Sequence, residues 1–395
     1  MINTPNSNRL HIGIFGKTNS GKSSILNAIL EQEISIVSDI EGTTTDSVKK
    51  AMEFLPFGPV LFIDTAGLED NTPLGTLRMK KTLEELKNTN FALLIMDCQK
   101  VDLDFYKKQE MQFKKYNIPF LLILNKADLL TEKEREKVKN IFPKSVLTSV
   151  KDRNSILKLK ETILNEIEKE QEEPKLLGDL VSYNGKVIMV VPIDSEAPKG
   201  RLILPQVQLL RECLDNGIKS YVVRDTELES ALEDIKDIDL VITDSQAFKS
   251  VDKILNNRAR LTSFSILFAR QKGELKDLVQ GVKKLKKLKD GDKILIAETC
   301  THNTSHEDIG RVKIPKLVKK YCGKEIEFDF MGGKDFPENL SKYALVIHCG
   351  ACMINKKLMQ NRIDESLSLD VPITNYGLVI AEVTGILDKS LEIFK

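Results

Sequence analysis

The chain has no tryptophan, only four histidines and only six cysteines among its 395 residues. Cysteines this sparse and scattered exclude a disulfide framework and leave metal or redox use in a reducing compartment. Lys and Arg number 59 against 58 Asp and Glu, so the formal net charge is +1. Whole-molecule electrostatics therefore gives no argument for nucleic-acid binding. The basic segment Lys283-Lys284-Leu285-Lys286-Lys287 has no interleaved aromatics and reads as a solvated face of a helix expected over 271–289. No apolar run approaches the roughly 20 residues of a membrane span. The opening residues lack a basic stretch followed by an apolar one, so no signal peptide is evident and a cytoplasmic protein is expected.

What is present begins with Leu10-His11-Ile12-Gly13-Ile14-Phe15, a buried-strand pattern that runs into Gly16-Lys17-Thr18-Asn19-Ser20-Gly21-Lys22-Ser23 and then an apolar helical segment from Ser24. This is G-x-x-x-x-G-K-S in its strand–loop–helix setting. Backbone N–H groups at a helix N-terminus wrap phosphates, Lys22 reaches the β- and γ-phosphates, and the Ser23 hydroxyl ligates Mg²⁺. Gly16, Asn19, Ser20, Gly21, Lys22, Ser23 and Ser24 are thus the expected phosphate-loop contacts. A second strand ends in Asp64-Thr65-Ala66-Gly67, where Asp64 serves Mg²⁺ through water and the Gly67 N–H meets the γ-phosphate. A third ends in Asn125-Lys126-Ala127-Asp128. Asp128 can accept two hydrogen bonds from guanine N1–H and N2–H₂, which adenine cannot supply, so GTP is the expected nucleotide. Ser149 and Val150 fall where a loop backing the base belongs. Lys22, Asp64 and Gly67 are the expected catalytic residues.

The charged run at 166–174 closes on Pro174 and reads as the end of the last helix of this domain passing into a linker. Alternating strands and helices follow, and no catalytic constellation appears among them. Cys213 lies on an apolar helical face and reads as core, as do Cys98 and Cys322 as incidental thiols. We expect an α/β protein: a P-loop GTPase domain over 1–172, then two smaller α/β domains with parallel sheets over 178–265 and 266–395.

In the last of these, Cys300-Thr301-His302 follows one strand and His348-Cys349-Gly350-Ala351-Cys352 follows another. Ligand groups at the carboxyl ends of two strands can converge in one crevice. Cys349 and Cys352 have the spacing to clamp one centre, with Gly350 expected to let the backbone fold around it. Three thiolates suit a [4Fe–4S] cluster with an exchangeable fourth position; zinc with mixed ligands and a Cys349/Cys352 redox dithiol are the alternatives. Glu298, His302, His306 and His348 are the near candidates for the fourth position.

The four nucleotide motifs resemble those of the TrmE–Era branch of GTPases. That resemblance makes Thr44, in Gly42-Thr43-Thr44-Thr45-Asp46, the Mg²⁺-ligating and catalytic threonine of switch I. It makes Asn19 a K⁺ ligand, and Leu68 stands where Ras-like enzymes carry a water-orienting glutamine. Slow hydrolysis stimulated by K⁺ is implied. The whole chain, with Asn375-Tyr376-Gly377 near its end, resembles the HydF family of [FeFe]-hydrogenase maturation GTPases. This implies a homodimer through the middle domain, and a [4Fe–4S] cluster on Cys300, Cys349 and Cys352. It also implies a scaffold that takes a diiron subcluster precursor from the radical-SAM maturases HydE and HydG and delivers it to apo-[FeFe]-hydrogenase. The alternatives are a zinc-binding regulatory GTPase and a tRNA- or ribosome-associated GTPase of the TrmE–Era type.

Overall fold

A computed structural model gives the fold, described for residues 4–31, 38–40, 48–65, 73–169, 175–193, 202–299, 309–333, 335–337 and 339–395. The chain divides into two compact units, Met1–Glu172 and Glu173–Lys395.

The first unit alternates strands and helices: β1 (Leu10–Gly16), α1 (Lys22–Glu31), β2 (Ser38–Ile40), β3 (Val48–Phe54), β4 (Gly58–Asp64), α2 (Pro73–Asn88), β5 (Phe91–Asp97), α3 (Leu103–Lys115), β6 (Phe120–Asn125), α4 (Glu132–Ile141), β7 (Val146–Leu147) and α5 (Arg153–Lys169). The sheet order is β2-β3-β4-β1-β5-β6-β7. The β2–β3 and β3–β4 pairs are antiparallel and the rest parallel. The central strands are near-continuous apolar runs because both faces are covered. Ile12, Ile14, Leu93, Ile95 and Ile123 pack with Ile25 and Ile29 of α1 and Ile156 and Ile163 of α5. Phe15, Leu94, Met96 and Leu124 face Phe105 and Phe113 of α3. Removing a fully buried Leu or Ile here would cost about 2–5 kcal/mol. Helix starts follow local chemistry: the Asp102 carboxylate accepts from Phe105 N–H at 2.9 Å ahead of α3.

The second unit holds two four-stranded parallel sheets. The first comprises β8 (Lys186–Val190), α6 (Leu204–Asp215), β9 (Lys219–Val223), α7 (Leu228–Asp234), β10 (Leu240–Thr243), α8 (Phe248–Leu255) and β11 (Arg260–Ser263), in strand order β11-β10-β8-β9. Next come α9 (Phe264–Lys272) and α10 (Leu275–Val282). The second sheet comprises β12 (Lys293–Ala297), α11 (Ile314–Cys322), β13 (Glu327–Met331), β14 (Leu345–His348), α12 (Lys356–Ser368), β15 (Ile373–Asn375), α13 (Tyr376–Thr384) and α14 (Leu387–Ser390), in strand order β13-β12-β14-β15. The α/β class with parallel sheets behind a P-loop domain is as expected.

Helix α9 joins the two sheets. Its Phe264, Leu267 and Phe268 pack with Met189, Ile242 and Leu209, while Ile266 and Ala269 belong to the core that holds Ile294, Ile296 and Ile347. Cys213 is fully buried in the former core. The single helix expected over 271–289 does not form. Gly273 ends α9, α10 stops at Val282, and Lys283–Lys287 is a short 3₁₀ turn with Leu285 buried. Gly273 has no Cβ to hold helical geometry, and one there would meet Ile363 at 2.6 Å. No helix among the described residues is long and apolar enough to cross a membrane.

Candidate nucleotide site and candidate metal centre

The carboxyl ends of β1, β4 and β6 carry the nucleotide motifs. Gly16 closes β1, and a Cβ there would lie 2.3 Å from the Ile95 carbonyl of β5. Gly21, just before α1, has φ of 93°, and its Cβ would strike Asn125 Nδ2 at 2.1 Å. Only glycine fits either place. Asn125 Nδ2 donates to the Ser20 carbonyl at 3.0 Å, tying the end of β6 to the phosphate loop. Lys22 Nζ donates to the Gly16 and Lys17 carbonyls at 3.1 and 2.9 Å. Ser23 Oγ donates to Asp64 Oδ2 at 2.7 Å, so the two groups expected around Mg²⁺ meet. Burial lowers the Lys22 pKa, opposed by Asp64. Burial raises that of Asp64, opposed by the Ser23 hydrogen bond and by Lys22.

Asp128 accepts from Ser149 Oγ at 2.7 Å and pairs with Lys151 Nζ at 3.0 Å; these two partners hold its carboxyl below its ordinary range. Lys126, at φ 66°, reaches the Asn19 carbonyl at 3.1 Å and Asp97 Oδ2 at 2.7 Å. Asp97 is a member of this network that no motif had marked. Ser24, Asn19 and Val150 are exposed. Thr44 and Gly67 lie outside the described residues, as does the rest of Gly42-Thr43-Thr44-Thr45-Asp46.

In the second unit β12 and β14 are paired in parallel, with Ala297 opposite His348. Cys349 is buried at the end of β14, and Cys352 is partly buried three residues on. Cys300, His302 and His306 lie outside the described residues, and among the described residues no three His, Cys, Asp or Glu side chains group to hold a metal. The Thr299 N–H donates to Cys349 Sγ at 3.3 Å, and Thr299 Oγ1 is 3.1 Å from the same sulfur. The turn between the thiols differs from expectation. The left-handed residue is Ala351, at φ 55°, not Gly350, whose Cβ position faces open space.

His348 is fully buried, and Arg362 Nη1 lies 2.8 Å from its Nε2. Guanidinium can only donate, so Nε2 accepts and the ring proton sits on Nδ1, which donates to the Cys349 carbonyl at 2.9 Å. Both ring nitrogens are thus engaged, one by Arg362 and one by the Cys349 carbonyl. Glu298 accepts from Arg311 Nε and from Tyr376 Oη, each at 3.1 Å. Asn375 caps α13, accepting from Leu378 N–H and donating to the Ser265 carbonyl, both at 2.9 Å.

Two buried cations face this loop, and sequence motifs had marked neither. Lys272 is 4% exposed and Arg362 2%. Burial pulls the Lys272 ammonium down to about 8, against the opposing pull of Cys352 and Cys349. Burial pulls Arg362 down to about 10, opposed first by Cys349. Burial raises the Cys352 thiol, and neighbouring Cys349 adds to the rise. The loop thus pairs soft sulfur ligands with fixed positive charge, a donor set that fits an anionic iron–sulfur group better than a neutral one.

Residues 176–273 match the hydrogen maturase F dimerization domain model and 276–393 the hydrogen maturase F tetramerization domain model; together these span more than half the chain. The chain belongs to the hydrogen maturase F (HydF) family. Ahead of these HydF domains, residues 11–126 match a model described as 50S ribosome-binding GTPase. Curated relatives include GTPase Der of Wolinella succinogenes, 36% identical over 33% of this chain and 28% of its own length. Another is tRNA modification GTPase MnmE of Flavobacterium johnsoniae, 34% identical over 40% of this chain and 36% of its own. GTPase Der of Nitratiruptor sp. is 27% identical over 50% and 48%. The chain spans about a quarter to a half of the length of these relatives.

Proposed function

We propose that this HydF-family chain is a GTP hydrolase and iron–sulfur scaffold of [FeFe]-hydrogenase maturation. It would receive a diiron subcluster precursor from the radical-SAM maturases HydE and HydG and deliver it to apo-[FeFe]-hydrogenase. The observation that carries the reading is the union of a motif-complete phosphate loop with a Cys-x-x-Cys loop backed by buried Lys272 and Arg362. Residues 1–172 bind GTP, 178–265 form a homodimer, and 266–395 hold the cluster, with the cytoplasm as the working compartment.

In the nucleotide site, Gly16, Ser20, Gly21 and Ser24 contribute loop contacts and Lys22 moves from two carbonyls to the phosphates. Ser23, Thr44 and Asp64 serve Mg²⁺, Gly67 meets the γ-phosphate, and Asn125, Lys126, Asp128, Ser149 and Val150 hold the base. Asn19 holds K⁺, whose charge offsets that developing on the phosphates. Faster turnover in KCl than in NaCl is the expected result, and equal rates would remove the K⁺ role.

Cys300, Cys349 and Cys352 hold a [4Fe–4S] cluster, which supplies an exchangeable iron. His348, Thr299 and Lys272 orient the loop. Glu298, His302, His306 and His348 are the candidates for the fourth position; Glu298 would have to release Arg311 and Tyr376, and His348 would have to release Arg362 or the Cys349 carbonyl.

The test is EPR of dithionite-reduced protein after anaerobic reconstitution with iron and sulfide, beside a Cys300/Cys349/Cys352→Ser triple variant. A [4Fe–4S]⁺ signal in the parent alone is expected. Zinc in place of iron, with no signal, would leave a zinc-bearing GTPase and remove the scaffold reading.

A further inference from the structure

Lysine is seldom buried without an anionic partner. Lys272 ends α9, and its Nζ donates to the Ala351 carbonyl at 2.8 Å and the Ile354 carbonyl at 2.7 Å. Among the described residues no carboxylate pairs with it, and the charges acting on it are those of Cys352 and Cys349. Its bond to Ala351 clamps the one left-handed residue of the Cys-x-x-Cys turn, a conformation that is unfavourable for a non-glycine residue. Arg362 of α12 is fixed by His348 Nε2, by the Gly333 carbonyl at 3.2 Å and by the Phe336 ring, 5.1 Å from its centroid. Neither cation can swing out to water without breaking these contacts.

We propose that Lys272 and Arg362 are positioning residues for the iron–sulfur group on Cys349 and Cys352. Lys272 locks the thiol turn, and the two buried positive charges make the group easier to reduce. The inference rests on the cluster reading given above. Reduction adds one electron, from dithionite in the test below, and so one negative charge. Fixed positive charge in a low-dielectric surrounding favours the more negative state, and screening by water is weak there. A purely structural role for these two residues would leave the potential where it is.

The experiment is an EPR-monitored redox titration of the full-length, anaerobically reconstituted protein. It compares the parent with Lys272→Gln, Lys272→Arg and Arg362→Gln, with far-UV circular dichroism and iron content measured on each. Lys272→Gln and Arg362→Gln are expected to shift the midpoint negatively. At the parent's midpoint the ratio of reduced to oxidised cluster should fall roughly tenfold, about 59 mV for one electron. Lys272→Arg, which keeps the charge, should stay near the parent. Loaded, folded Gln variants with the parent's midpoint would overturn the inference and leave the cluster reading standing. A parent without any [4Fe–4S]⁺ signal would overturn both. Where Lys272→Gln fails to fold, Arg362→Gln decides alone, and an unshifted midpoint there overturns the proposal.

Discussion

The phosphate loop and the Cys349–Cys352 turn both sit at the carboxyl ends of parallel strands, yet they manage charge in opposite ways. In the first unit the polar groups answer one another: Lys22 bonds two loop carbonyls, Ser23 meets Asp64, and Lys126 pairs with Asp97. In the second, Lys272 is buried against Cys352 and Cys349, and Arg362 against Cys349, with the carboxylates of Glu365 and Asp335 also acting on it. A site that answers its own charges can stand with or without a ligand, which suits a nucleotide that comes and goes. A site carrying buried positive charge gains most from an anionic group that stays. The difference is the one that the proposed roles call for, an exchanging nucleotide in the first unit and a resident anionic group in the second.

Two variants and one labelling experiment probe that separation. The largest expected effect is that of Lys22→Ala, which should cut GTP turnover by about 10²-fold or more, since it removes a fixed charge at the phosphates. Cluster content should not change. Loss of iron together with turnover, measured on one preparation, would break the contrast between the two units. Next in size, Asp128→Asn should weaken GTP binding by about 10- to 100-fold, the value of a hydrogen bond to a charged partner. Titration with a fluorescent guanine nucleotide reads this directly, and undiminished affinity would remove Asp128 from base recognition. The smallest effect concerns thiols outside both sites. Burial pushes Cys98 up to about 11 and Cys213 up to about 12. At mildly alkaline pH both should therefore stay protonated and resist alkylation in the folded protein. Mass spectrometry after a brief iodoacetamide pulse should find them modified only once denaturant is added, and labelling of the native chain would contradict their burial.

Much of the fold was legible because local pattern and burial agree. The apolar runs at 10–16 and 120–125 are strands covered on both faces, and such runs announce themselves. The nucleotide motifs were legible for a related reason: their geometry is set by residues close in sequence, as in the loop between Gly16 and Lys22. The support of the thiol turn was not. Lys272 reaches Ala351 and Ile354 across 79 and 82 positions, and nothing near Lys272 in sequence marks it as different from the lysines that follow. The break at Gly273 also escaped, because the Lys-rich stretch beyond it keeps helical spacing of its leucines. Gly350 drew attention as the flexible residue of the turn, whereas Ala351 carries the left-handed angle, held there by a contact from another helix.

Asn125 has a consequence for how the nucleotide unit can move. Its amide grips the Ser20 carbonyl, and Gly21 passes so close that a methyl group would not fit between them. Gly16, on the other flank of the loop, rests against the Ile95 carbonyl of the intervening strand. The phosphate loop and the Asn125 end of β6 are therefore joined in a single piece across β1, β5 and β6. Any hinge that opens this pocket must lie outside those three strands. An opening that parts the phosphate loop from the end of β6 must first break the bond between Asn125 and the Ser20 carbonyl.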